Sequence, residues 1–98
     1  MTKREAIVKS IINQLDVVLK STNIKDNSEI LNAIKILRDE MCNYEKEMED
    51  ECPIKIGDIE FVDCYISRVD DIQRKQCDEY DELAWLKLMA NYILYMIK

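Results

Sequence analysis

Residues that interrupt helices are almost absent from this sequence, whose 98 residues include one glycine, Gly57, and one proline, Pro53. All-β domains need both residue types in their many turns, whereas the interiors of helices exclude them. Apolar residues make up 48% of the chain and charged residues 35%, a mixture typical of amphipathic helices. The sequence therefore predicts an all-α fold, and a chain of this length forms a single helical domain, residues 1–98.

Two amphipathic helices are predicted in the first half of the chain. Thr2 and Glu5 form a capping-box pair at the start of the first helix, residues 3–22, where such pairs satisfy free amides. Its apolar residues recur at helical spacing: Ile7, Val8, Ile11, Ile12, Leu15, Val18 and Leu19. The second helix, residues 28–50, spaces its apolar stripe as a coiled coil does: Ile34, Leu37, Met41, Tyr44 and Met48. Five acids close to its end oppose the helix dipole, so we expect the last turn to fray.

Residues 54–61 allow two interpretations. Isoleucines alternate with polar residues on both sides of Gly57 and Asp58, which is typical of a short β-hairpin with a two-residue turn. The alternative makes Asp58 the N-cap of a third helix, residues 58–76, with Ile59, Val62, Tyr65, Ile66 and Val69 on its buried face. We favour the helix because the apolar residues continue past Val62 at helical spacing.

The remainder of the chain is helical in one piece or two. An apolar stripe runs from Tyr65 to Ile97 in steps of three and four, and only Gln76 and Glu79 on it are polar. A single helix of about forty residues is possible, but globular helices average about 11–12 residues. We therefore expect a break near Gln76 and a last helix over residues 79–97, which gives a compact bundle of three to four helices.

The last helix is apolar on more than one side. Besides the periodic stripe, this helix carries several further large apolar side chains. A helix with apolar residues on every side must be buried on every side. A bundle this small has too few other helices to supply that cover, so we expect a partner surface and a homodimer as its simplest source. The interface residues we predict are Trp85, Leu88, Met89, Tyr92, Tyr95 and Met96.

The net charge of −6 bears on the kind of partner. It opposes direct binding to nucleic acids and to anionic membranes, and we expect neither. No secretory signal or span-length apolar segment is evident in the sequence, so a cytoplasmic location is expected. Acidic residues on the second and later helices are the candidates for a binding surface: Glu47, Asp50, Glu51, Asp78, Glu79 and Glu82.

Candidate catalytic groups are few. The chain has no histidine, which removes the most common acid–base residue and transition-metal ligand, and one glycine cannot build a phosphate-binding loop. The four cysteines, Cys42, Cys52, Cys64 and Cys77, lack metal-site spacing, so we expect reduced thiols that pack, Cys64 among them, and no metal or cofactor. Two carboxylate pairs at helical spacing, Glu47 with Asp50 and Glu79 with Glu82, leave a magnesium-dependent nucleotide hydrolase as an alternative.

These features favour a non-enzymatic protein–protein interaction module that inhibits or modulates another protein. Small inhibitors, immunity proteins and adaptors have this size, acidity and lack of catalytic groups. Phage- and plasmid-encoded antagonists such as anti-CRISPR proteins are similar, although the similarity is one of composition and no motif carries it. A self-assembling structural subunit is a second alternative.

Overall fold

The computed structural model describes residues 2–75 and 81–97, which form four α-helices. They are α1 (Lys3–Lys20), α2 (Ser28–Met48), α3 (Ile56–Gln73) and α4 (Glu82–Ile97), with a short 3₁₀ turn at Glu49–Glu51. Within these residues there is no β-strand. The predicted all-α bundle is confirmed, and the hairpin alternative for residues 54–61 is wrong.

The start of α1 and the connection to α2 are fixed by short polar side chains. Thr2 Oγ1 accepts the Glu5 backbone N–H at 3.1 Å, as the sequence predicts for a helix N-cap. Asn27 caps α2 by accepting the Glu29 N–H at 3.1 Å, and its side-chain amide donates to Ser21 Oγ at 3.0 Å. The cap of the second helix is thereby tied to the end of the first.

The second helix ends slightly earlier than predicted. Its last α-helical residue is Met48, and Glu49 has a φ of 53° and a ψ of −125°, a backbone conformation through which an α-helix cannot continue. The 3₁₀ turn then carries the last three acids of the chain's acidic run. Acids at a helix C-terminus oppose the dipole, which is consistent with this early end.

The third helix begins earlier than predicted, at Ile56, so Asp58 is not its N-cap. Lys55 is the N-cap residue, and the Asp58 carboxylate reaches back to accept the Lys55 backbone N–H at 2.8 Å. This is one half of a capping box, which a carboxylate at the third helical position supplies. Ile54 is buried from the bend before the helix, and Ile59 is buried from the helix itself.

A break separates the third helix from the fourth, as expected. Arg74 caps α3, and Lys75 beyond it has a φ of 61°, the left-handed conformation that commonly terminates a helix. Asp81, immediately before α4, has a φ of 64°. The single forty-residue helix is therefore wrong. The third helix ends at Gln73, three residues before its predicted end at 76, and the predicted start of the last helix at 79 falls outside the described residues.

The four helices run alternately up and down. At one end of the bundle, Lys3 of α1 lies 3.8 Å from Glu47 of α2, and Ile97 of α4 lies beside the first turn of α1. At the other end, the Gln73 amide of α3 donates to two carbonyls of the α1–α2 connection. Among the neighbouring helices, α1 and α2 pack most extensively, whereas α3 and α4 pack least.

One cluster of buried side chains, drawn from all four helices, forms the core. The radius of gyration is 13.3 Å, close to the roughly 13 Å typical of a compact chain of about 100 residues. Most buried residues of α1 and α2 belong to the predicted stripes: Ile7, Ile11, Leu15, Val18, Ile34, Leu37, Met41 and Tyr44. Ile30 and Ala33 of α2 are buried as well.

Candidate functional site

The fourth helix carries two separate apolar stripes. The first, which we call the core stripe, consists of Leu86, Ala90 and Ile93, and all three are buried. The second, which we call the outer stripe, consists of Trp85, Leu88, Tyr92 and Tyr95, whose residues remain 56%, 60%, 55% and 83% exposed. Both stripes follow helical spacing, so one helix presents apolar side chains both to the core and to solvent.

An open groove of about 710 Å³ separates the outer stripe from α3. Gly57 and Phe61 line it from α3, while Trp85 and Tyr92 line it from α4, with the buried Met89 among its lining residues. The groove exists because α3 and α4 are the neighbouring helices that pack least closely. Gly57 leaves it open, since nothing lies within 4 Å of the position that a Cβ atom would occupy there.

A second, smaller depression of about 300 Å³ continues between the same two helices. Phe61 and Trp85 line both depressions and so mark the place where they meet. The Phe61 ring packs edge-on against Tyr65, with ring centroids 5.3 Å apart. We call Phe61 together with the outer stripe the α3–α4 face.

The charged side chains at the edges of the α3–α4 face are engaged within the chain. Asp58 accepts the Lys55 amide, and Arg68 forms an ion pair with Glu82 across the gap between α3 and α4. Burial raises the pKa of the Tyr65 phenol, and the nearby Glu82 raises it further. The face is therefore predominantly apolar, and it is bordered by a salt bridge and a helix cap.

The six predicted interface residues fall into two groups. Trp85, Leu88, Tyr92 and Tyr95 form the exposed outer stripe. Met89, by contrast, is only 7% exposed and belongs to the core, while Met96 is half-buried and packs against it. Phe61 was not among the predicted site residues, although Gly57, Phe61, Cys64 and Arg68 follow each other in steps of four, three and four.

The predicted acidic residues do not form one surface. Glu47, Asp50 and Glu51 lie at the end of α2 and in the 3₁₀ turn, where Asp50 and Glu51 are exposed. Glu82 lies beside Arg68 in the other half of the bundle, and its side chain is only 13% exposed. Asp78 and Glu79 lie outside the described residues.

The structure also bears on the two carboxylate pairs that were predicted as candidate magnesium ligands. Glu47 belongs to α2 and Asp50 to the 3₁₀ turn, so the two do not share one face of a regular helix. The Glu82 carboxylate is bound by Arg68, and its predicted partner Glu79 is not described. In residues 2–75 and 81–97, no group of three or more Cys, Asp or Glu side chains is placed to hold a metal ion.

The described cysteines are free thiols in three different environments. Cys52 is buried and Cys42 half-buried, whereas Cys64 is exposed, so the prediction that Cys64 packs is wrong. Cys64 lies on α3 beside the smaller depression, where α4 does not cover it. Burial raises the pKa of the Cys52 thiol, which lowers its reactivity. Cys77 lies outside the described residues.

Comparison with known proteins finds no matching family model, no matching curated protein and no matching solved structure. In the part of the chain that the structure describes, none of the helices has the length and apolarity that a membrane span requires.

Proposed function

We propose that this chain is a non-enzymatic protein–protein interaction module that binds another polypeptide through the α3–α4 face. The observation that supports the proposal is the outer stripe, which leaves four large side chains exposed on one side of α4. Taking about 150–250 Å² for a whole large side chain, the exposed fractions of the five residues of the face correspond to roughly 460–760 Å² of mainly apolar surface. The largest apolar patch on a typical monomeric protein is about 300–600 Å², and such a patch is often functional.

The composition of the face also supports protein binding. Tryptophan, tyrosine and phenylalanine are enriched at the centres of protein interfaces, where they contribute a large share of the binding energy. Trp85 and Tyr92 stand on a regular helix whose opposite side is anchored in the core by Leu86 and Ile93. Their backbone positions are therefore fixed before binding, which lowers the entropy lost on association.

We further propose that the module acts by inhibiting or modulating the protein that it binds. The chain lacks histidine, and among residues 2–75 and 81–97 no group of three or more Cys, Asp or Glu side chains is placed to hold a metal ion. The exposed acids at the end of α2 supply a second surface, which would attract a basic region of a target. In this proposal the α3–α4 face holds the associated polypeptide, and the acidic end of α2 is the surface that meets the basic region of the target.

The test is affinity capture with the full-length chain and two variants, from cells that express it naturally. Leu88→Glu places a charge in the middle of the face, and Ile36→Glu makes the same kind of change at an exposed site on α2. A polypeptide bound by the wild type and by Ile36→Glu, but lost with Leu88→Glu, supports the proposal. The captured polypeptide should then bind the purified wild-type chain and shift the fluorescence of Trp85. Equal capture by all three proteins would contradict it.

A further inference from the structure

The spacing of the outer stripe is the same in both directions along α4. Its residues, Trp85, Leu88, Tyr92 and Tyr95, follow each other in steps of three, four and three. A rise of about 1.5 Å per residue places Leu88 and Tyr92 about 3 Å on either side of residue 90, and Trp85 and Tyr95 about 7.5 Å on either side. The stripe is thus symmetric about the middle of the helix, so in an antiparallel pair of α4 helices related by a two-fold axis each of its residues lies opposite another residue of the stripe.

We infer that the polypeptide covering the α3–α4 face is a second copy of this chain, with the two α4 helices antiparallel across a two-fold axis near residue 90. This inference rests on the proposed function, since it names the occupant of the same face. Leu88 of each copy then packs against Tyr92 of the other, and Trp85 packs against Tyr95. Every residue of the outer stripe meets an apolar or aromatic residue, so no unpaired charge enters the contact.

The area of the face agrees with that of a stable dimer. Each partner in an interface of standard size buries about 800 Å². The five residues of the α3–α4 face supply roughly 460–760 Å² of that as an apolar centre. Asp58 and Asn91, which border the groove, provide polar atoms for the rim. The side chains of the second copy also supply the atoms that fill the groove beside Trp85.

Charge favours α4 as the element through which identical copies meet. Each copy carries a net charge of −6, so two copies repel each other wherever acids face acids. Within Glu82–Ile97 the charged residues are Glu82 and Lys87, and Glu82 is already paired with Arg68. Because the remaining repulsion is long-range, salt should screen it, and added sodium chloride should strengthen the dimer or leave it unchanged. An oppositely charged occupant would show weaker binding in salt.

The first experiment measures molar mass and Trp85 exposure on the same samples of full-length protein. Light scattering over a concentration series should report a monomer–dimer equilibrium with no larger species. Trp85 is the only tryptophan, so its emission and acrylamide quenching report on the face directly. Dimer formation should shift the emission to the blue and reduce quenching. Leu88→Glu should raise the dimer dissociation constant about 100-fold or more, and the Ile36→Glu control should leave it within about threefold.

The second experiment tests the register by exchanging charges. Leu88→Glu and Tyr92→Lys should each weaken the homodimer, since each places two buried charges against apolar partners. In a mixture of the two variants, the new glutamate of one chain faces the new lysine of the other, while the unchanged Tyr92 and Leu88 face each other. The mixture should therefore form a heterodimer more tightly than either variant forms a homodimer. Equal weakness in the mixture would overturn the antiparallel register.

The outcomes of these experiments distinguish a failure of the second-copy inference from a failure of the proposed function. A monomer at all concentrations with quenchable Trp85 overturns the second copy but leaves the face open for a different polypeptide. A monomer with shielded Trp85 overturns both, because the chain itself then covers the face. An open-ended assembly overturns the closed two-fold pairing and supports the self-assembling alternative.

Discussion

The contact between the end of α3 and the α1–α2 connection gives the sharpest test of how the bundle is held together. The Gln73 side-chain amide donates to Ile24 O at 3.1 Å and to Asn27 O at 2.8 Å, in a partly buried position. Gln73→Glu keeps the shape of the side chain but replaces the donor group by an acceptor that faces two carbonyl oxygens. Losing two hydrogen bonds and leaving partly buried acceptors unsatisfied should lower the free energy of unfolding by about 2–3 kcal/mol at neutral pH.

The pH dependence of the Gln73→Glu variant provides an internal check. Facing carbonyl oxygens disfavours the carboxylate in the folded chain, so the folded pKa of the new glutamate is raised above its unfolded value of about 4.3. Protonation therefore stabilises the folded variant, and its deficit against the wild type is smallest below that unfolded pKa. The deficit grows as the pH rises through the folded pKa, since the carboxylate then forms in the folded state.

The assay is urea unfolding followed by far-ultraviolet circular dichroism, at neutral pH and near pH 4. Gln14→Glu on α1 is the matched control, because Gln14 is also half-buried and the change adds the same charge. We expect the control to lose less than about 1 kcal/mol. If both variants lost the same free energy of unfolding at both pH values, the Gln73 contact would not stabilise the bundle.

Three further predictions concern the thiols and the acidic end of α2. Burial raises the pKa of the Cys52 thiol in the folded chain. The contribution of this thiol to the free energy of unfolding is therefore fully present below its unfolded pKa of about 8.5, and it is lost as the pH rises through the folded pKa. Cys52→Ala should remove that part of the alkaline decline in urea unfolding curves. Iodoacetamide should alkylate the exposed Cys64 before the buried Cys52, as peptide mass spectrometry would show, and equal rates would contradict this difference in exposure. Changing Glu47, Asp50 and Glu51 together to lysine should keep the helix content and abolish partner binding measured by titration calorimetry, whereas unchanged binding would exclude the acidic surface.

The helices α1 and α2, whose apolar stripes pack into the core, were predictable from the sequence. Along α1 and α2, periodic residues such as Leu15 and Leu37 are buried, and Thr2 caps where its spacing to Glu5 predicts. The end of α3 was harder to locate, because Lys75 takes the left-handed conformation that glycine usually provides. Spacing along the chain carries no signal for such an end.

Residues 54–61 show why alternation of apolar residues does not by itself predict a strand. Ile54 reaches the core from a bend before the helix and Ile59 from the helix, while Ile56 between them faces solvent. The apparent period of two therefore comes from a junction between two kinds of backbone. Pro53 adds to the ambiguity, since it favours extended geometry in the residue before it.

The candidate site was predictable in position but not in detail. An excess of apolar residues marks α4 from the sequence, yet spacing alone does not say which stripe faces the core, and Met89 is buried while Leu88 is not. Phe61 joins the face because α3 and α4 pack loosely, and only the tertiary arrangement contains that information. Glu82 is engaged by Arg68, fourteen residues earlier in the chain, which helical periodicity does not predict.

The division of α4 into two stripes has an evolutionary consequence. Substitutions at Leu86 or Ile93 alter the packed interior and are constrained by folding, whereas substitutions at Leu88 or Tyr95 alter a surface that the monomer does not need. Recognition can therefore diversify on one side of the helix while selection for a folded chain acts on the other. A lineage of such proteins would conserve the interior pattern of α4 and vary its outward residues as binding partners change.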